Sequence, residues 1–163
     1  MKPLYSVVKK HHYSSAKFSS NFVSGENLYE EIGYDQAALV KQNASYENTC
    51  ATRMSLALIK SGMPVHGRLK IKAGQYKGKF LEPGAKLLAD QLSKSHLLGK
   101  PKIFKNASEA AAKLEGKRGI IFFWKIEGYR GGHIDLIEPL NKTYICNSVC
   151  FPNSSEIWFW SLD

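Results

Sequence analysis

The spacing of hydrophobic positions changes once along the chain, near residue 118. Up to that point apolar residues recur at three- and four-residue intervals, the period of a helix with one buried face. QAALVKQ (Gln36–Gln42) predicts a short helix. A second surrounds Cys50, where Ala51, Met54, Ala57 and Leu58 share a face. Asn48 reads as its N-cap, and Gly62 and Pro64 as its stop. A third runs from about Pro83 to Gly99, and a fourth has Ser108 as N-cap and Gly116 as stop. From Gly119 on, the pattern is that of strands. GIIFFWKI (Gly119–Ile126) is a continuous β-branched and aromatic block, and GGHIDLIE (Gly131–Glu138) alternates with period two. KTYICNS (Lys142–Ser148) follows after a turn at Pro139–Asn141, and EIWFWSL (Glu156–Leu162) closes the chain. Helices followed by an antiparallel meander predict an α+β fold, with helices packed on one side of a sheet. Residues 1–163 read as a single domain, in which the polar, weakly periodic segment 1–32 is expected to wrap the surface.

Composition narrows the classes. The 163 residues are 44% hydrophobic and 23% charged, which is globular. No apolar run approaches the roughly 20 residues of a membrane span, so membrane insertion is not expected. The N-terminus lacks the apolar core of a Sec signal peptide, so any export is expected to use no cleaved leader. Lysine and arginine number 23 against 14 acidic residues, a formal charge of +9, which points to an anionic partner. The lysines are spread from Lys60 to Lys125 without a basic helix or an aromatic RNA-binding pattern, and nucleic acid is not the expected partner.

Three cysteines partition most simply into a local pair, Cys146 and Cys150, and a lone Cys50. Cysteines four apart lie ~13 Å from one another in a straight strand. A bridge, which needs Cα atoms ~5.5 Å apart, would require a tight turn at CNSVC and an oxidising site of action. Two reduced thiols is the plain alternative. No second Cys/His pair has metal-ligand spacing, and no metal is expected.

Cys50 opens a helix, where unpaired amides and the dipole favour a thiolate and can hold an oxyanion. In many proteins the same position holds an inert core residue. A nucleophilic thiol needs a base, usually histidine. His11, His12, His66 and His96 fall in polar segments and near a helix end, and read as solvated. His133 opens a core strand after Gly131-Gly132, glycines that permit close approach, and Asp135 shares its face. A cysteine on a helix N-terminus followed by a histidine on a strand is the papain order.

NTCATRMSLALIKSG (Asn48–Gly62) and GGHIDL (Gly131–Leu136), with GAKLLADQL between them, resemble the nucleophile and histidine motifs of the type VI secretion amidase effectors, specifically the fourth amidase-effector family. The resemblance runs from about Gly33 to the C-terminus. It implies a papain-like, NlpC-type fold and a cofactor-free cysteine amidase. The implied reaction is hydrolysis of the γ-D-glutamyl–meso-diaminopimelate bond of peptidoglycan. It also implies injection by the type VI apparatus into a rival's periplasm, and a cognate immunity protein covering the active site. Cys50 is then the nucleophile and His133 the base, with Asn48 and the Cys50 amide at the oxyanion. In that family an aspartate on the strand after the histidine strand completes the triad, and TYICNSVC contains none. With Leu140 opposite Thr143, Ser148 becomes a diagonal neighbour of His133 and is the expected third member. Asn147 is the alternative after a one-residue slip, and Asp135 a further candidate that has to bend back along its own strand. In an oxidising periplasm the Cys146–Cys150 disulfide is expected, shaping this turn. Arg53, in the helix interior, reads as a structural hydrogen-bonder in preference to a substrate ligand. A different papain-like thiol enzyme, or a basic non-catalytic wall-binding module, is the alternative reading.

Overall fold

The computed structural model describes every residue except Glu115 and Arg130. Two helices that the sequence did not announce come first, α1 (Tyr5–His11) and α2 (Gly25–Glu31). They are followed by α3 (Gln36–Gln42), a 3-10 turn (Ala44–Glu47) and α4 (Cys50–Lys60). A two-stranded ribbon, β1 (Leu69–Lys70) with β2 (Phe80–Leu81), leads to α5 (Ala85–Leu92). Then come β3 (Lys102–Phe104), α6 (Ala107–Leu114), β4 (Gly119–Ile126), β5 (His133–Leu140), β6 (Thr143–Cys146) and β7 (Ser154–Ser161). Among the described residues no helix is long and apolar enough to cross a membrane.

Local chemistry sets the helix ends. The Ser24 side chain accepts the Asn27 amide and Asp35 accepts the Ala38 amide, satisfying first-turn donors of α2 and α3. At α6 the cap is Asn106, not Ser108. Its Oδ1 accepts the Glu109 amide at 2.8 Å, while Glu109 reaches back to the Lys105 amide at 3.0 Å. The end of that predicted helix at Glu115 lies outside the described residues. The predicted Pro83–Gly99 helix is shorter, because the chain after Leu92 turns tightly and leaves Gly99 at φ 80°.

The five-stranded sheet has the order β3-β7-β4-β5-β6 and is antiparallel throughout. Only β4-β5-β6 is a meander. β7 returns to the far side of β4, and β3, unrecognised in the sequence, extends the sheet beyond it. The helices occupy both faces rather than one. Ile120 and Phe122 of β4 join the core beneath α4, whereas Ile121 and Phe123 join a second core with Ala110 and Leu114 of α6. A strand buried on both faces reads as an unbroken apolar run, which is why GIIFFWKI does not alternate.

Helix α4 is the central strut, with Cys50 through Ile59 all buried. Such a helix must satisfy its polar side chains internally. Arg53 does so by donating from Nε to Thr49 Oγ1 at 2.8 Å and from one terminal nitrogen to the carbonyls of Ser14 (3.0 Å) and Val23 (2.7 Å). It therefore fastens the N-terminal segment to the helix. That segment is no mere wrapping: Tyr5, Val8, Leu28 and Tyr29 are core residues. Replacing Arg53 by alanine strips the Val23 carbonyl of its Arg53 donor and leaves the Ser14 carbonyl with the Val23 amide, at about 1–3 kcal/mol for the bared group. The expected outcome is a melting temperature lower by roughly 5 °C in thermal denaturation. An unchanged midpoint would show that the clamp contributes nothing to stability.

Candidate active site

The 3-10 turn runs up to Asn48, which is extended (φ −81°, ψ 110°), and Thr49 rather than Asn48 is the residue that caps α4. Asn48 still serves the helix entry, because its Oδ1 accepts the Cys50 amide at 3.3 Å. Its Nδ2 donates to the Tyr129 hydroxyl, on the connection between β4 and β5. Cys50 thus sits in the first helical turn, free and buried, with Sγ 3.9 Å from the Gly132 carbonyl.

His133 opens β5 directly opposite Phe123. Gly132 before it is a position where only glycine fits, since an added Cβ would lie 2.4 Å from the Phe122 ring. The imidazole is enclosed by Phe151, edge to face at 4.9 Å, and Phe123 at 6.2 Å. It faces the thiol on one side, while on the other Nε2 lies 2.9 Å from Asp135 Oδ2. With Nε2 turned to the carboxylate, Nδ1 is the nitrogen left for sulfur. Burial pushes the imidazole pKa down, but hydrogen bonds to Asp135 and Cys50 and the charges of both outweigh it, raising it from 6.5 to about 9. His133 therefore keeps its proton at neutral pH.

Asp135, not Ser148 or Asn147, holds His133. Its carboxylate has no solvent exposure. Oδ1 accepts the Leu136 amide at 2.8 Å, and Oδ2 accepts the amides of Ser148 and Val149, each at 3.0 Å. The register Leu140 opposite Thr143 is as expected and continues to Ile137 opposite Cys146. There β6 ends, and the Cys146–Cys150 disulfide, with Cα atoms 5.4 Å apart, curls the chain into a turn. The strand that was to carry Ser148 to His133 does not extend that far. Ser148 Oγ instead accepts the Ser15 amide at 3.0 Å. Asn147 Nδ2 donates to His12 Nδ1 at 2.6 Å. No backward bend is needed at Asp135, because two residues apart on one strand face is already within reach of an imidazole. That spacing was the signal available in the sequence.

His12, read as solvated, is 2% exposed, and burial lowers its pKa to about 4. It belongs to the wall behind the 147–149 turn, where Ser14 Oγ also donates to the Asn147 carbonyl at 2.6 Å. His66 and His96 are exposed and His11 is half-buried.

Beside the thiol, Asn48, Tyr129 and Gly132 form one wall of a cleft of about 400 Å³, whose other walls include Trp124, Arg68 and Lys86. Cavities of about 530 and 550 Å³ around Arg118 and Glu138 are larger, but no residue of the thiol site lines them.

Comparison with solved structures gives the same architecture. The Tae4–Tai4 effector–immunity complex of Enterobacter cloacae matches at 22% identity and a TM-score of 0.73, covering 100% of both chains. Tae4 alone from the same organism matches at 23% and 0.71, covering 100% of this chain and 98% of that one. The Tae4–Tai4 complex of Salmonella Typhimurium matches at 22% and 0.66, with 100% of both covered. The fold is the papain-like, NlpC-type α+β arrangement. No curated protein sequence matches. The family model for Tae4, described as type VI secretion system (T6SS), amidase effector protein 4, matches residues 46–160, a span that holds Cys50, His133 and Asp135. The chain belongs to the Tae4 family of type VI secretion system amidase effectors.

Proposed function

We propose that this effector kills by hydrolysing the γ-D-glutamyl–meso-diaminopimelate amide of peptidoglycan stem peptides, with Cys50, His133 and Asp135 as the catalytic triad. The observation that carries this reading is the buried line of thiol, imidazole and carboxylate beside a cleft lined by Asn48 and Gly132. The site of action is the periplasm of the target cell, reached through the type VI apparatus. Tai4 partners the similar effectors, and an immunity protein of that kind would protect the producer by covering this cleft.

Chemistry follows from the geometry. The Cys50 thiolate, paired with the His133 imidazolium, attacks the γ-carbonyl carbon of glutamate. The oxyanion takes the Cys50 amide, displacing Asn48 Oδ1 from its long 3.3 Å bond. Imidazolium then gives its proton to the leaving diaminopimelate amine, which departs as the C–N bond breaks. Water, deprotonated by His133, hydrolyses the thioester and restores the thiol. Asp135 holds the ring and stabilises its cationic form throughout.

Digestion of purified diaminopimelate-type sacculi, followed by mass spectrometry, tests the reading. The expected products end at γ-D-glutamate, and Cys50→Ala lowers their rate a thousandfold or more, by order of magnitude. Intact stems after treatment with folded wild-type protein would refute it.

The pH profile follows from His133. A pKa raised to about 9 keeps the imidazolium intact below that value, so kcat/KM is expected to fall on the alkaline side near pH 9. The same sign governs stability: the contribution of the raised pKa is fully present below 6.5 and is lost as pH rises through about 9. Asp135→Asn removes the largest raising influence, and its alkaline limb should move to lower pH. A limb that stays in place would separate Asp135 from the imidazole.

The disulfide brackets the amides that hold Asp135. A Cys146→Ser, Cys150→Ser double variant is expected to lose roughly tenfold in kcat, as expected when positioned hydrogen bonds loosen. Its Cys50 should also alkylate more slowly with iodoacetamide. Wild-type values for both would show that the turn holds without its bridge.

A further inference from the structure

The cleft beside the thiol contains a guanidinium that the mechanism does not use. Arg68 immediately precedes β1 and lines the cleft together with Asn48 and Gly132. Its side chain is 62% exposed, whereas that of its partner Glu82 is only 6% exposed. Nε lies 3.2 and 3.3 Å from the two Glu82 oxygens, and one terminal nitrogen lies 2.8 Å from Oε2. The Gly84 amide donates to the same oxygen at 2.7 Å. The Glu82 backbone is in turn fastened to the nucleophile helix: Ser55 Oγ donates to its carbonyl at 3.0 Å and accepts its amide at 3.1 Å. Arg68 is therefore oriented from the helix that carries Cys50. Gly84 allows this, since a Cβ there would stand 2.9 Å from the Arg68 terminal nitrogen.

A guanidinium has five N–H donors, and Glu82 occupies only the Nε edge. Hydrogens on both terminal nitrogens remain, and that edge matches the two oxygens of a carboxylate. The other cation among the described cleft residues, Lys86, differs. Asp90 holds it at 2.7 and 2.8 Å, and it lies over the rings of Trp124 and Trp158 at 5.6 and 5.3 Å. Among the described cleft residues, Arg68 is the cation with a fixed, uncommitted donor edge.

We propose that Arg68 is a specificity residue that pairs with a free carboxylate on one of the two residues joined by the scissile amide. This rests on the amidase reading above. A γ-linked glutamate leaves its α-carboxylate free next to the attacked carbonyl, and diaminopimelate carries a second carboxylate at its far end. A bidentate pair fixes the substrate against the cleft wall and penalises a carboxamide at the same place.

Three soluble stem tetrapeptides, in which D-Ala blocks the other diaminopimelate carboxyl, test this: L-Ala-γ-D-Glu-meso-diaminopimelate-D-Ala, its analogue with the glutamate α-carboxyl amidated, and its analogue with the distal diaminopimelate carboxyl amidated. Wild-type kcat/KM is expected to fall roughly ten- to a hundredfold on one of the two amidated peptides, as for loss of a hydrogen-bonded charge. Arg68→Gln should cut that peptide and the parent at equal rates, the loss on the parent appearing mainly in KM. Because Arg68→Gln leaves the Glu82 carboxylate buried and bare, an Arg68→Gln, Glu82→Gln variant, which removes both charges, serves where the single variant does not fold. A merely structural role would lower all three rates together and leave the ratios unchanged, and unchanged ratios overturn the proposal. So does a wild-type enzyme that cuts all three peptides equally, a result that leaves the amidase reading standing. Failure of the wild type on all three peptides and on sacculi would remove both.

Discussion

Everything at this site hangs on one buried carboxylate. An aspartate with no solvent exposure is tolerable only if both oxygens are hydrogen-bonded. Asp135 meets that demand with three backbone amides and one imidazole. The amides come from two places, the strand itself and the turn after β6, so the carboxylate is a joint as well as the proposed third member of the triad. Moving either place changes the angle at which His133 meets sulfur. Orientation of that kind is where much of a thiol amidase's rate resides, because a misplacement of about 1 Å can cost a hundredfold.

The constraint propagates outward. Two amides of the 147–149 turn must stay aimed inward, and two devices hold them. The disulfide closes the turn from within the sheet. The N-terminal segment closes it from outside, through Ser14 on the Asn147 carbonyl and Ser15 on Ser148 Oγ. Arg53 then joins that segment to α4 through the Ser14 carbonyl. Cys50 and Asp135 lie far apart in sequence, yet a short chain of hydrogen bonds runs between their supports. This is why an arginine sits inside a helix that is otherwise a core strut. Its guanidinium satisfies backbone carbonyls of the stretch between α1 and α2.

The sequence was legible wherever periodicity was strong. Gln36–Gln42 and Gly119–Ile126 have the bounds expected of them, and Cys50 and His133 stand at the element starts that their patterns indicated. What escaped was set by tertiary contact. Helix α1 has only Tyr5 and Val8 buried and too short a period to stand out among polar neighbours. The three residues of β3 become a strand only because β7 pairs with them. His12 looks solvated in a polar stretch, yet the turn it supports buries it. The third triad member was sought by extending a strand in straight register, and the extension stopped at Cys146, where the disulfide curls the chain. Register arguments are reliable only as far as the ladder runs. The shorter argument, two residues along one strand face, pointed to Asp135.

Charge divides into two roles at different ranges. The excess of nine cations is a whole-molecule property, and a field of that sign draws the protein toward an anionic polymer over about a Debye length. Within the cleft the balance is different. Arg68 is matched by Glu82 and Lys86 by Asp90, so among the described residues both cations there have local counter-charges. A cleft lined with bare lysines would hold any anionic segment of the wall, at any register, and slow its release. Paired cations lose much of that indiscriminate attraction but keep fixed donor directions, which reward a carboxylate only at the right place. Approach is thus governed by net charge and selection by geometry. The same Glu82 that tempers the Arg68 charge also aims it, and its backbone is held by the helix that presents Cys50.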